Sequence, residues 1–302
     1  MVGMNSNPGF NSLPVFINKN GGNADKVIAA LSSVSNVTVN ILDVDELNAA
    51  VQKAVDKGLP RIVVAGGDGT LSLAAVIVVD SNTELAIIPG GTLNHFAKRL
   101  NIPLDIDEAL QLALNGQAQP TSFAMVNQQL FLNTSSVGAY VHFVKSREKL
   151  ERHLPYLTAS FIAAVRRLIN FRRVSVHIND TKFLTPLVFI GVGERQLKLP
   201  DVGQNKRGGK QGLHFIVLRC STRIAALTVA AQAMFRGVNP LSREQQLDNA
   251  VVERIEVNVR SRNKWLTVAV DGELVKLKSP LKYAFYQQGL NVVSLLEKDI
   301  ES

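Results

Sequence analysis

The chain has 302 residues, 46% of them apolar, and a formal net charge of +8. That size and apolar content predict one or two domains with sizeable cores. They leave no apolar run long enough to span a bilayer. Met1 to Leu13 is rich in Asn, Ser, Gly and Pro and lacks the basic-then-apolar order of a signal peptide. The single cysteine, Cys220, excludes an internal disulfide and fits a reducing cytoplasm. Cys220 ends an apolar run and reads as a buried small residue.

Pro14 to Ile17 reads as a first strand, Asn18-Lys19-Asn20-Gly21-Gly22 as its turn and Ala24 to Leu31 as a helix. Val37 to Leu42 alternates as a strand. Asp45 to Lys57 carries Leu47, Val51, Ala54 and Val55 at helical spacing and stops at Gly58. Arg61 to Ala65 is a β-branched run that reads as a buried strand. It enters Gly66-Gly67-Asp68-Gly69-Thr70, followed by a helix over Leu71 to Val79. Then the pattern repeats, with strand Leu85 to Ile88, turn Pro89-Gly90-Gly91-Thr92 and helix Leu93 to Leu100. This β-α alternation predicts a parallel, Rossmann-like three-layer sheet with right-handed crossovers. Ligands bind such sheets at the carboxyl ends of the strands, where the three Gly-containing turns lie. Asp105 to Leu114 adds one more helix.

The chemistry of these turns is specific. Glycine lets the main chain approach a ligand closely. The first amides of a helix have no partner within it and, with the helix dipole behind them, attract phosphate. Thr70 and Thr92 can add hydroxyl donors. Asp68 would repel phosphate unless a cation intervenes, which points to Mg²⁺ carried with a nucleotide. A Gly-rich turn with a capping Asp is the plainer alternative for one such turn. Two in tandem weigh against it.

After Gln119 the pattern becomes strand-rich. Thr121–Val126 and Gln129–Thr134 read as a hairpin, and Lys145 to Phe171 as mostly helical. Val174–Asn179 and Lys182–Val192 read as paired strands. Further strands are expected at 213–219, 251–259, 265–270, 273–278, 281–285 and 290–293, interrupted by a helix over Ile224 to Arg236. The fold class predicted is an α/β N-terminal domain followed by a mainly β, sandwich-like C-terminal domain. The boundaries are expected at 1–119 and 120–293, with 294–302 packing back on the first domain. Eight Lys/Arg against two acids give Lys145 to Arg173 a charge of +6. This patch suits an anionic lipid surface or a phosphorylated ligand, or is simply a solvated helix face. No nucleic-acid motif accompanies it.

The two turns carry a resemblance. Gly66-Gly67-Asp68-Gly69-Thr70-Leu71, with Ile88-Pro89-Gly90-Gly91-Thr92-Leu93-Asn94-His95-Phe96-Ala97, is similar to the diacylglycerol kinase catalytic-domain family. That family includes bacterial lipid kinases and sphingosine kinases and is distantly similar to NAD kinases. The resemblance implies an ATP-dependent lipid kinase with ATP and Mg²⁺ as cofactors. Asn18, Gly66, Gly67, Asp68, Gly69, Thr70, Leu71, Gly91, Thr92 and Asn94 would hold the nucleotide, with Asp68 on the metal. It also implies that the Val270-Asp271-Gly272-Glu273 turn faces the nucleotide, with Glu273 as general base and Asp271 assisting or binding metal. By composition alone, Asp-Gly there is a hairpin turn. Asn133 to Tyr140 and Phe189 to Glu194 resemble the edges of the family's cleft, and also fit ordinary sandwich strands.

Some positions depart from the family pattern. Lys19 and Asn20 replace the usual turn residues after Asn18, although Lys19 could neutralise a phosphate. Ser72-Leu73 stands where Asn-Glu is frequent, and His95 where an Asp is frequent. Lys210-Gln211-Gly212-Leu213 occupies the place of an Asp-Gly-Leu that holds a structural metal in some members. That site is expected to be absent or altered, because Lys and Gln cannot replace a carboxylate on Mg²⁺. The expected location is cytoplasmic, peripheral at the inner membrane face, with a lipid substrate. The acceptor stays open, as does the oligomeric state, a homodimer included. A kinase of a soluble acceptor such as NAD and a silent nucleotide- or lipid-binding regulator are the competing readings. No G-x-G-x-x-G follows a strand and no Walker-type G-K-[ST] is present, which argues against a dehydrogenase or a P-loop enzyme.

Overall fold

The computed structural model describes residues 12–92, 94–138, 174–178, 181–185, 187–196, 206, 208–218, 247–259 and 264–295. The expected helices at 145–171 and 224–236, the basic segment, Cys220 and the chain end at 296–302 lie outside them. The chain divides into two compact units, Met1–Phe123 with Gln287–Ser302, and Ala124–Tyr286. The expected divisions at 119 and 293 differ from these because each crossing falls inside a long strand.

In the N-terminal unit the elements alternate as the sequence predicts. They are β1 (Leu13–Asn18), α1 (Ala24–Leu31), β2 (Val37–Leu42), α2 (Val44–Asp56), β3 (Arg61–Gly66), α3 (Asp68–Val78), β4 (Glu84–Pro89), α4 (His95–Arg99) and α5 (Ile106–Asn115). The strands are parallel in the order β2-β1-β3-β4. Strands β1 and β3 are buried along their whole length, as their unbroken apolar runs require. One face packs Val15, Ile17, Val63, Ala65, Ala86 and Ile88 against α1 and α5. Phe16, Ile62, Val64, Leu85 and Ile87 are buried on the other face, the side of α2 and α3. Arg61 ties β3 to α5. Its Nε donates to Glu84 at 2.7 Å, and its other nitrogens donate to the last carbonyls of α5, Ala113 and Leu114, and to Gly116.

The remaining strands are β5 (Ala118–Val126), β6 (Gln129–Phe131), β7 (Thr134–Gly138), β8 (Val174–Ile178), β9 (Thr181–Thr185), β10 (Leu187–Val192), β11 (Leu213–Leu218), β12 (Leu247–Val252), β13 (Arg254–Val259), β14 (Trp265–Val270), β15 (Glu273–Lys278) and β16 (Leu281–Val293), and their residues within 124–286 build the C-terminal unit. Strands β12-β11-β10-β7-β14-β15 form an antiparallel sheet. Its inner residues Val137, Val188, Ile190, Val268 and Val270 pack with Ile255 and Val257 of β13 and Leu281 and Tyr283 of β16. The result is a two-layer sandwich.

Three strand assignments change. The expected run 182–192 is two strands in different sheets. At the break Thr185 Oγ1 donates to the Leu187 carbonyl at 2.7 Å and accepts from its amide at 3.0 Å. The expected run 251–259 is likewise β12 and β13, one on each layer. Conversely, 281–293 is a single strand. Its first residues pair with β13, and Val292 pairs in parallel with Leu85 of β4. Gly289 keeps the strand continuous at φ +116°, with its carbonyl accepting from Asp80 N at 2.7 Å.

Candidate functional site

In the N-terminal unit the turns after β1, β3 and β4 meet. Strands β1 and β3 are neighbours whose outer partners, β2 and β4, lie on opposite sides. This is the switch point at which open α/β sheets bind ligands. The β3 and β4 turns touch through their backbones. Gly90 N donates to Gly66 O at 2.8 Å, and a Cβ on Gly91 would lie 2.7 Å from Gly67 Cα. Only glycine permits that approach. Gly66 is constrained from within its own turn, since a Cβ there would meet Thr70 Cβ at 2.7 Å.

The helices of this unit differ in how their first turns are capped. Asp43 caps α2 by a reciprocal capping box with Glu46, and Asp105 caps α5. No side chain caps α1 or α3, the two helices that follow the turns of β1 and β3. The cap position of α3 is Gly67, and the helix opens on Asp68, three residues earlier than the expected Leu71. The first amides of α3, at Asp68, Gly69 and Thr70, therefore have no capping side chain.

Asp68 is turned to another use. Its Oδ2 accepts from His95 N and its Oδ1 from Phe96 N, both at 3.0 Å, so it caps α4 from a distance. Helix α4 is shorter than the expected 93–100, and Leu93 lies outside the described residues. Asn94 adopts a left-handed conformation (φ +48°) and closes the second turn, its amide accepting from Gly91 N at 2.9 Å and donating to Gly91 O at 2.8 Å. Asn18 is buried. Its Nδ2 donates to Thr70 Oγ1 at 2.8 Å, and its Oδ1 accepts from Asn20 N. Both asparagines thus shape the turns. Leu71 is fully buried, while Thr92 is exposed. The exposed Lys19 ammonium lies 3.2 Å from Asp43 Oδ2.

The second cluster lies in the C-terminal unit. Asp271 and Gly272, at φ +47° and +92°, make the tight β14–β15 turn. Asp271 also reaches back across the chain. Its carboxylate accepts from Leu132 N (2.6 Å), Asn133 N (2.8 Å) and Thr134 N (2.9 Å), while its own amide donates to Thr134 O. Glu273, at the start of β15, is exposed.

Arg195, absent from the expected site, is 4% exposed. Its Nη2 donates to the Asn133 and Val192 carbonyls. Burial pulls its pKa down to about 10, against which the Asp271 charge works. Its backbone amide donates to His214 Nδ1 at 2.8 Å, and burial lowers the pKa of that imidazole. Burial raises the pKa of Tyr283, whose hydroxyl shares a hydrogen bond with Ser135. In the region of the altered Asp-Gly-Leu, Glu194 accepts from Lys206 Nζ at 2.7 Å and Lys210 N at 2.9 Å. Nothing in the sequence singles out Arg195; only in the fold does Gly191 lie under it, where a Cβ would come 2.4 Å from Arg195 Nε.

Among the described residues no group of three or more His, Cys, Asp or Glu is placed to hold a metal ion, and no helix is long and apolar enough to cross a membrane. Residues 12–126 match the profile of the diacylglycerol kinase catalytic domain. Over that stretch, 115 of the 302 residues, the chain is similar to the diacylglycerol kinase catalytic-domain family. A Serratia proteamaculans protein named "Probable lipid kinase YegS-like" is 28% identical over 210 residues, 65% of this chain and 66% of that protein. A Bacillus subtilis diacylglycerol kinase is 27% identical over 236 residues, 74% of each chain. A crystal structure of a diacylglycerol kinase from Bacillus anthracis aligns at TM-score 0.66 and 18% identity, covering 96% of this chain and 98% of that one. A second Bacillus anthracis structure aligns at TM-score 0.71 and 21% identity, covering 95% of this chain and 98% of that one. At such identities the structures speak for the fold, and they share the α/β plus β-sandwich architecture.

Proposed function

We propose that the chain is an ATP-dependent lipid kinase. The observation that carries this reading is the pair of uncapped helix starts, α1 and α3, beside the touching Gly67 and Gly91. Such a surface takes a polyphosphate through the backbone amides of Gly67 to Thr70, with the Thr92 hydroxyl exposed beside them. Asn18 and Asn94 hold the turns in shape. Asp68 has one amide on each oxygen, so it fits a nucleotide-borne Mg²⁺ held largely through water. The ion would neutralise charge on the phosphates.

In the transfer step, Glu273 takes the proton of the acceptor hydroxyl. The hydroxyl oxygen forms a bond to the γ-phosphorus as the bond to the β-phosphate oxygen breaks, and ADP leaves. Asp271, with three amides on its carboxylate, positions the turn that carries Glu273. The acceptor is met at a membrane surface, and the enzyme acts peripherally. The occupied carboxylate of Asp68 favours the second reading, a nucleotide-binding regulator without transfer.

Transfer of labelled γ-phosphate from ATP to lipids in mixed micelles, by wild type and Glu273→Gln, tests this. Transfer by wild type, reduced on the order of 10²-fold or more in the variant, is expected. Undiminished transfer by the variant removes Glu273 as base. No transfer to any lipid by protein that binds ATP leaves the regulator.

A further inference from the structure

We propose that the open end of the β14–β15 hairpin anchors the chain to an anionic lipid surface, with Trp265 at the interface and Lys264, Lys276, Lys278 and Lys282 as its charges. The choice of a lipid partner rests on the lipid-kinase reading above. Trp265 is the one tryptophan of the chain and is 56% exposed at the start of β14. An indole has an apolar body and a polar N–H, which suits it to the boundary between acyl chains and water.

Charge along the hairpin is segregated. From Lys264 to Lys282 there are four lysines and two acids, and both acids, Asp271 and Glu273, are at the turn. The register pairs Val270 with Glu273 at that end and Trp265 with Lys278 at the other, about 17 Å away along the strands. Thr267 pairs with Lys276, so Trp265, Lys276 and Lys278 share one face of the hairpin. The opposite face, with Leu266, Val268, Val275 and Leu277, packs on the core. All four lysines are exposed. Their backbone is fixed. Ser279 N donates to Lys264 O at 2.8 Å, and the Asn127 side chain donates to Lys278 O at 3.0 Å and accepts from Lys282 N at 2.9 Å.

Strand β15 is the last of its sheet, where a second copy would extend it. Lys276 and Lys278 oppose such pairing. Edge protection alone explains neither the exposed indole of β14 nor Lys264 and Lys282, which lie off the edge strand. A single-stranded nucleic acid fits less well, because one indole gives no track for successive bases. Anionic headgroups over an acyl boundary complement both parts of the patch. The ammonium groups meet the headgroup charge, while the indole and the lysine stems cover apolar surface.

Because Trp265 is the one tryptophan, its emission reports this surface directly. The full chain is titrated with phosphatidylglycerol vesicles, with phosphatidylcholine vesicles and with a single-stranded oligonucleotide, and vesicle binding is measured in parallel by sedimentation. Phosphatidylglycerol should shift the emission to shorter wavelength and phosphatidylcholine should leave it unchanged. The double variant Lys276→Glu with Lys278→Glu should keep its thermal midpoint and bind the anionic vesicles roughly tenfold more weakly or worse. No binding to anionic vesicles overturns the proposal, as does binding without an emission shift, equal binding to both lipids, undiminished binding by the double variant, or a shift with the oligonucleotide alone. Should the double variant not fold, the wild-type emission decides. Phosphate transfer in mixed micelles without the emission shift removes this surface and leaves the kinase. The shift without transfer keeps the surface and removes the kinase.

Discussion

Asp68 and Asp271 stand in different units, each in a turn that the sequence marks for chemistry, and each spends its carboxylate on distant backbone. Asp68 holds two amides 27 and 28 residues ahead, one on each oxygen. Asp271 holds three amides 137 to 139 residues behind and faces the Arg195 charge. A carboxylate has about four acceptor positions. Asp271 is therefore close to filled and acts as a clamp, whereas Asp68 keeps capacity for water on a metal. Glu273, exposed and two residues beyond the clamp, is the carboxylate to which the proposed function gives the proton transfer.

Replacing each aspartate by alanine breaks this comparison most sharply. Asp271→Ala strands three part-buried amides and removes the charge opposing a buried guanidinium. It should cost about 3–5 kcal/mol in urea unfolding. Asp68→Ala removes a helix cap and should cost only about 1–2 kcal/mol, while raising the Mg²⁺ concentration that phosphate transfer requires. Equal costs would show that Asp68 is as structural as Asp271.

Gly91→Ala sets a Cβ 2.7 Å from Gly67 Cα, backbone against backbone. It should cost about 1–3 kcal/mol and weaken ATP binding roughly tenfold or more, because the amides of both turns shift. Gly22→Ala meets nothing nearer than 3.7 Å and is the control. Thermal unfolding and ATP titration of both variants measure the contrast. Unchanged ATP affinity in Gly91→Ala would move the nucleotide away from these turns.

The N-terminal unit was legible because its signals are local. Strand runs, helix spacing and Gly-rich turns follow one another, and each element lies next to its neighbours in sequence. Helix α3 starts at Asp68 rather than Leu71 because Gly and Asp, poor helix formers in general, are tolerated in a first turn. The C-terminal unit was less legible because its elements depend on partners far away. The 182–192 run looks continuous, and only the Thr185 side-chain turn shows the change of sheet. Arg195 reads as an ordinary surface residue until Gly191 and Asn133 are brought beneath it. Asn18 and Asn94 show a similar dependence, since their bonds to Thr70 and Gly91 appear only once the turns are folded.

The smallest effect separates the two clusters by pH. His214 Nδ1 accepts the Arg195 amide, so the ring is neutral and carries its proton on Nε2, towards Asn249 Oδ1 at 3.5 Å. Burial holds the folded pKa below the unfolded value. Above about pH 6.5 both states are neutral and the full stability is present. As pH falls below that, the unfolded chain takes a proton that the fold refuses. Stability is then lost, at up to about 1.4 kcal/mol per pH unit, until the folded pKa is reached. His214→Asn can accept the same amide through Oδ1 and does not titrate. Urea unfolding at pH 7 and pH 5 should therefore show a smaller acid loss in His214→Asn than in wild type, while ATP affinity at pH 7, set in the N-terminal unit, stays the same. Equal acid loss in the two proteins would mean that Arg195 is held by Asn133 and Val192 alone.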